Sequence, residues 1–294
     1  MNDSTDSSAQ EVDCLAGWCV ACFEARMSHE ARRLFERRGA SVLSAPALEE
    51  VPLTDQQSAF EFGESLLRDE VDVLVLLTGV GTRLLVDVLA SRWDRDLVLR
   101  KLEQAKLICR GPKPVSALKS LGLKPSFVVP EPNTWRDIVV AFEHHGFGDK
   151  KRVWVQEYGR PNPEFIQSLS ARAGSVQTVA LYGWKLPDDL EPLKAAIAAI
   201  VAGTVRVVAF TAGVQVDHLF EVAARLSLER ALKQALKERI VVASVGPMTS
   251  ERLTALGIAV DVEPEHPKLG HLVQSVTARA KDSWLQKRRA AAFP

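Results

Sequence analysis

A chain of 294 residues has room for two domains of ordinary size, each with its own core. Hydrophobic residues make up 47% and charged residues 25%, a soluble globular balance. Lys plus Arg and Asp plus Glu both number 37, so no basic excess points to nucleic acid or an anionic membrane, and any anionic ligand has to be held by local groups.

In chain order, residues 1–14 open polar and acidic with no apolar stretch, and read as a disordered tail rather than a signal peptide. Cys19-Val20-Ala21-Cys22 has C-x-x-C spacing but lies in a strand-like run, where alternating faces make the thiols core residues rather than a redox pair. A helix ending at Gly39, a strand at Ser41–Leu43 and a Pro-bearing connector follow. The run Val73–Leu77 has the length and Val/Leu content of a buried strand and leads into the turn Thr78-Gly79-Val80-Gly81. Gly111-Pro112-Lys113 then opens a helix over Pro114–Leu121 that closes at Gly122.

The second half repeats the pattern. Gly174 and a strand at Val176–Leu181 lead into Tyr182-Gly183-Trp184-Lys185-Leu186-Pro187. The longest apolar helix candidate, 195–202, is far too short to span a bilayer. The strand Val205–Phe210 runs into Thr211-Ala212-Gly213. Another at Ile240–Ala243 leads to Gly246-Pro247-Met248-Thr249, a helix at Ser250–Leu256 and Gly257. From Trp284 the chain reads as a basic, frayed tail, with Lys287-Arg288-Arg289 as a solvated helix end.

These landmarks pair off. Arg26 falls on Arg160, Gly39 on Gly174, Pro52 on Pro187, Thr78 on Thr211, Gly111 on Gly246 and Gly122 on Gly257, every offset lying between 133 and 135 residues. Solenoid repeats have periods of roughly 20–50 residues, so this is a duplicated domain. Strand and helix alternate in both copies, which predicts an α/β protein of two similar lobes around a cleft, with flavodoxin-like parallel sheets. Which pieces share a sheet stays open.

Parallel sheets bind ligands beyond the carboxyl ends of their strands, where helix N-termini present unpaired N–H groups. The turns at Thr78-Gly79-Val80-Gly81 and Thr211-Ala212-Gly213, with the Gly-Pro turns at Gly111 and Gly246, supply four such N-termini, a set suited to a polyanion. The same residues would serve equally as plain N-caps and helix punctuation. Tyr182 can donate a proton from a strand end or anchor the fold through a satisfied hydroxyl. Four cysteines form no secreted disulfide framework, which predicts a reducing cytoplasm. The six histidines lack metal-ligand spacing, and neither a phosphate loop nor a G-x-S-x-G elbow is present, so no metal and no cofactor are expected.

Taken together, the runs ALYGWKLPDDLEPLKAAIAAIVAGTVRVVAFTAGVQVDHLF (180–220) and ASVGPMTSERLTALGIAVDVEPEHP (243–267) resemble the uroporphyrinogen-III synthase family, over roughly residues 15–276. The resemblance implies two domains joined by a two-stranded linker that the chain crosses twice. Residues 15–46 with 186–293 would form one domain and 52–181 the other, with linker strands at 47–51 and 182–185. It implies a cytoplasmic, monomeric, cofactor-free lyase that closes hydroxymethylbilane, a linear tetrapyrrole with eight carboxylates, with inversion of the last ring and loss of water. It also implies no nucleic acid and no membrane partner, and allows a transient contact with the preceding pathway enzyme. Tyr182 matches the residue proposed to assist the departing hydroxyl, and Thr78, Thr211 and Thr249 match cleft-lining hydroxyls. Backbone near Gly79, Gly81, Ala212, Gly213, Pro247 and Met248 would hold carboxylates, assisted by Arg26, Lys113, Arg160 and Lys185. The sequence departs from the family where Phe-Thr-Ser reads Phe-Thr-Ala and where Gly183 replaces a basic residue. A two-lobed ligand-binding or regulatory module, or an inactive paralogue, would use the same cleft without chemistry.

Overall fold

In the computed structural model of the protein, residues 14–292 are described, and the expected N-terminal tail lies outside them except for Cys14, which opens a turn. The chain divides into two compact units: unit 1 runs through Glu49 and resumes at Lys185, and unit 2 is Glu50–Trp184.

Unit 1 is built on a parallel sheet of β1 (Cys19–Cys22), β2 (Ser41–Ser44), β10 (Val207–Phe210) and β11 (Val241–Ser244), in the order β11-β10-β1-β2. A parallel bridge from Ala243 to Val262 adds a fifth position at the β11 edge. Unit 2 carries β4 (Val73–Leu76), β5 (Lys106–Cys109), β6 (Phe127–Val128), β7 (Arg152–Gln156) and β8 (Ser175–Val179), all parallel, in the order β6-β5-β4-β7-β8. With the strands numbered by their place in each sequence copy, both sheets read 2-1-3-4-5, the flavodoxin-like order. Each sheet is mixed in origin. The first copy's opening strands β1 and β2 complete the sheet of the second copy's β10 and β11, and β7 and β8 complete that of β4, β5 and β6. A separate pair, β3 (Glu49–Pro52) with β9 (Tyr182–Lys185), joins the two crossings of the chain.

The central strands β4 and β10 are apolar and buried along their whole length because both faces are covered. In unit 2, Leu74 and Leu76 point into a core with Phe62, Leu85, Leu89 and Leu102, from α2 (Gln57–Leu67), α3 (Gly79–Ala90) and α4 (Arg95–Gln104). Val73 and Val75 face Ile138, Phe142 and Phe165, from α6 (Trp135–His145) and α7 (Pro163–Ser170). In unit 1, Val208 and Phe210 face α8 (Glu191–Ala202), α9 (Gly213–Arg225) and α10 (Glu229–Glu238). Val207 and Ala209 face α1 (Ser28–Glu36) and α12 (Leu269–Ala292). The remaining helices, α5 (Pro112–Ser120) and α11 (Pro247–Ala255), start at their Gly-Pro turns, two or three residues before the sequence reading placed them. A Pro at the first helical position lacks only an N–H that would go unpaired there.

Two expectations for the chain end are corrected. Residues 284–292 are helical rather than frayed, being the last turns of α12, and Lys287 is not solvated. Its ammonium lies 2.6 Å from Asp261 Oδ2 and donates to the carbonyls of Leu236 (2.7 Å) and Ile240 (2.8 Å). Among the described residues no helix is long and apolar enough to cross a membrane.

Candidate functional site

In a sheet of this order the ligand position lies beyond the carboxyl ends of the first and third strands. In unit 2 these are β7 and β4, whose ends carry Gln156 and, two residues past Leu76, Thr78. Thr78 is the N-cap of α3: its Oγ1 accepts from Gly81 N–H at 3.0 Å, relieving one unpaired donor of the first turn. The same oxygen accepts the Tyr182 hydroxyl at 3.1 Å. Thr78 N–H and Oγ1–H are directed at Gln156 Oε1, at 3.1 and 3.4 Å, and Gln156 Nε2 donates to the Glu157 carbonyl. Thr78, Gln156 and Tyr182 are 6%, 0% and 3% exposed, so phenol, cap hydroxyl and amide form one buried network. Glu157 is half-buried, and burial pushes its carboxyl up against the lowering effect of its bond with Thr178.

The glycines of this turn make room for protein. A Cβ on Gly79 would stand 2.7 Å from the Lys113 carbonyl oxygen, and one on Gly81 would overlap the Gln156 amide. Gly81→Ala should therefore destabilise the protein by about 1–3 kcal/mol through overpacking. Gln156→Ala, which removes the acceptor of a buried N–H, should cost a similar amount. Because the second change relieves the first, the double variant should lose clearly less than the sum. Urea midpoints of the four proteins test this, and strict additivity would contradict the geometry.

Tyr182 also helps wall a pocket of about 320 Å³ with Pro52, Val80 and Leu84, rimmed by Glu50, Arg83 and Asp87. Lys113 stands exposed on the first turn of α5, and Arg160 is exposed in the loop after β7. Lys185, at the end of β9, is already engaged: Asp188 at 2.8 Å and Glu49 at 3.3 Å hold its ammonium above the usual lysine range, the Asp188 hydrogen bond contributing most.

Unit 1 solves the corresponding turn differently. With β4 laid on β10 end to end, Leu76 on Phe210, Thr78 falls on Ala212 rather than Thr211, and Gly81 on Gln215. The N-cap of α9 is Ala212, so the expected threonine cap is absent there. Gln215 Oε1 instead accepts from the N–H groups of Thr211 (2.8 Å) and Ala212 (3.3 Å). Unit 2 brings this amide from the end of β7, unit 1 from within the helix. Thr211 Oγ1 accepts from Gln215 Nε2 at 2.8 Å and donates to Glu24. Gly213 has only ordinary contacts, with Arg252 Cβ at 3.4 Å and the Met248 carbonyl oxygen at 3.6 Å. Pro247 opens α11, Met248 is 40% exposed and Thr249 is buried, while Arg26 is exposed in the turn after β1.

The structure thus gathers Thr78, Gly79, Gly81, Lys113 and Tyr182 at one sheet edge, and Thr211, Ala212, Gly213, Pro247, Met248 and Thr249 at the other. Gln156, Gln215, Glu24 and Glu157 escaped the sequence reading. Gln156 was the most legible of them, a lone amide closing the apolar strand Arg152–Gln156. Among the described residues no cluster of His, Cys, Asp and Glu could hold a metal ion. Burial pushes the thiols of Cys22 and Cys109 up to about 12, away from nucleophilic use.

Comparison with known proteins gives this geometry a context. A family model described as HEM4, Uroporphyrinogen-III synthase HemD, matches residues 29–274. A mutant uroporphyrinogen III synthase from the extremely thermophilic bacterium Thermus thermophilus is similar in structure with a TM-score of 0.66, at 27% identity over 92% of this chain and 99% of that one. The wild-type crystal form from the same organism gives 0.52 at 28% identity, over 91% and 99%. A Bacillus subtilis (strain 168) protein, described as uncharacterized protein YjjA, is 29% identical over 259 residues, which is 88% of this chain and 94% of its own length. With most of its length matched by the family model, the chain belongs to the uroporphyrinogen-III synthase HemD family.

Proposed function

We propose that the protein closes hydroxymethylbilane to uroporphyrinogen III, inverting the last pyrrole ring and releasing water, as a cytoplasmic, monomeric lyase. The observation that carries this reading is the Tyr182 hydroxyl, anchored 3.1 Å from the N-cap oxygen of α3 at the carboxyl edge of a parallel sheet, with Tyr182 also walling a pocket. A phenol is a hydrogen-bond donor at neutral pH. The chemistry needs a proton where a C–O bond breaks, since the cation that results is stabilised by the electron-rich pyrrole itself.

In the proposed course, the phenol O–H turns from Thr78 to the departing hydroxyl, which leaves as water. Thr78 stays fixed by its bond from Gly81. The azafulvene is attacked at the substituted carbon of the ring to be inverted, and the spiro intermediate fragments and recloses. The pyrrole proton released at closure returns to the phenolate, so the net change is loss of one water. In unit 2, carboxylates would be held by N–H groups at the starts of α3 and α5, which suits a chain with no net charge.

The test is incubation with freshly made hydroxymethylbilane, followed by oxidation and chromatographic separation of the isomers. The III isomer should dominate. Only the I isomer, formed spontaneously, would refute the activity.

A further inference from the structure

Arg110 follows β5 directly and sits at the carboxyl edge of the unit 2 sheet. Its backbone is pinned from two sides. Its N–H donates to the Leu76 carbonyl at 3.0 Å, and its carbonyl accepts from the Asn133 side-chain amide at 2.9 Å once that amide is turned so that its nitrogen faces both Arg110 and Val129. Its guanidinium carbon lies 4.7 Å from the centroid of the Tyr158 ring. Tyr158 meets Trp184 edge-on at 4.6 Å, and Trp184 meets Tyr182 at 6.5 Å, so the guanidinium and the proposed acid are linked by two further aromatic rings. Gly159 leaves Trp184 its place: a Cβ there would stand 2.5 Å from the indole.

The Arg110 side chain is half-buried, yet among the described residues it makes no ion pair and no side-chain hydrogen bond. Of the other stacked arginines, Arg92 pairs with Glu64 at 3.5 Å and Arg206 donates to the Gly203 carbonyl at 2.6 Å, while Arg288, on Trp284, is exposed to water. Withdrawing a guanidinium from water without giving it an acceptor is costly. The Tyr158 ring covers only the face of the ion, and stacking there leaves the N–H fork in the guanidinium plane. A fork held in place by stacking matches a carboxylate with two parallel hydrogen bonds and loses little conformational entropy on binding.

We infer that Arg110, stacked on Tyr158, is a side-chain cation of unit 2 that grips one carboxylate of the substrate, across the Tyr158–Trp184 pair from Tyr182, an inference that rests on the tetrapyrrole reading. Arg110 is then a binding residue and Tyr158 a positioning residue.

Uroporphyrin III, the oxidised octacarboxylate, serves as the probe in calorimetric titration of the full chain, with conversion of hydroxymethylbilane measured in parallel. Arg110→Ala should raise Kd by roughly 10- to 100-fold, the range of one charge-assisted bidentate pair. Arg110→Lys should recover only part, because a lysine neither forks nor stacks as well. Tyr158→Phe keeps the ring and should bind as the wild type does, whereas Tyr158→Leu should weaken binding by roughly 2- to 5-fold. Arg68→Ala, an equal loss of charge at an exposed pair with Glu70, is the control and should change nothing. If Arg110→Ala unfolds, the Tyr158→Phe and Tyr158→Leu contrast decides. Wild-type protein that binds the probe, with Arg110→Ala or Tyr158→Leu binding within twofold of it, overturns the inference alone. Wild-type protein that neither binds the probe nor forms the III isomer overturns the functional reading and this inference with it.

Discussion

Tyr182→Phe is expected to slow formation of the III isomer by roughly 10- to 100-fold, about 1.4–2.7 kcal/mol of barrier, with binding nearly unchanged. The effect is modest because the pyrrole stabilises the cation and the phenol supplies only the proton. Stability should fall by about 1 kcal/mol, the worth of one hydrogen bond. Phe keeps the packing of the buried ring, and the Thr78 oxygen retains the Gly81 N–H. Thr78→Val should slow turnover as well, by releasing the phenol, and should lower stability by a further 0.5–2 kcal/mol or so through the lost cap. Melting temperature and turnover measured on the same preparations separate the roles. Full activity per folded molecule with a lowered melting temperature would make Tyr182 an anchor and leave the proposed chemistry without its acid.

Lys287→Ala should be the most destabilising of the single changes considered, at about 3–5 kcal/mol. The Lys287 and Asp261 side chains are 11% and 13% exposed. All three ammonium donors have acceptors, and Asp261 Oδ2 also accepts from Val242 N–H at 2.7 Å. Burial pushes the Asp261 carboxyl up and the Lys287 ammonium down, so neither charge is at ease without the other. Removing the lysine strands a carboxylate and two carbonyls beneath α12. The loss should appear as a fall in melting temperature of roughly 6–12 °C. The double change Lys287→Met with Asp261→Asn removes both charges at similar volume and should recover most of it. A shift under about 1 °C for Lys287→Ala would mean that the pair is solvated.

The sequence by itself determined the α/β architecture and the turns that open its helices. The strands legible as short Val/Leu/Ile runs are those covered on both faces, because burial on both sides removes any polar alternation. The Gly-Pro and Thr-Gly turns were legible because helix starts demand particular residues at fixed places. Periodicity says nothing about partners, so only the tertiary structure decided that β1 and β2 join β10 and β11 while β7 and β8 join β4, β5 and β6. It also decided that Ala212, not Thr211, is the equivalent of Thr78, because the register of a turn is set by where its strand ends and its helix begins. Gln156 lies 78 residues beyond the Thr78 it supports, and Asp261 lies 26 residues before Lys287. Local sequence specifies which residues can cap, stack or pair. Which polar groups are left to satisfy one another is fixed only once folding has removed the water between them.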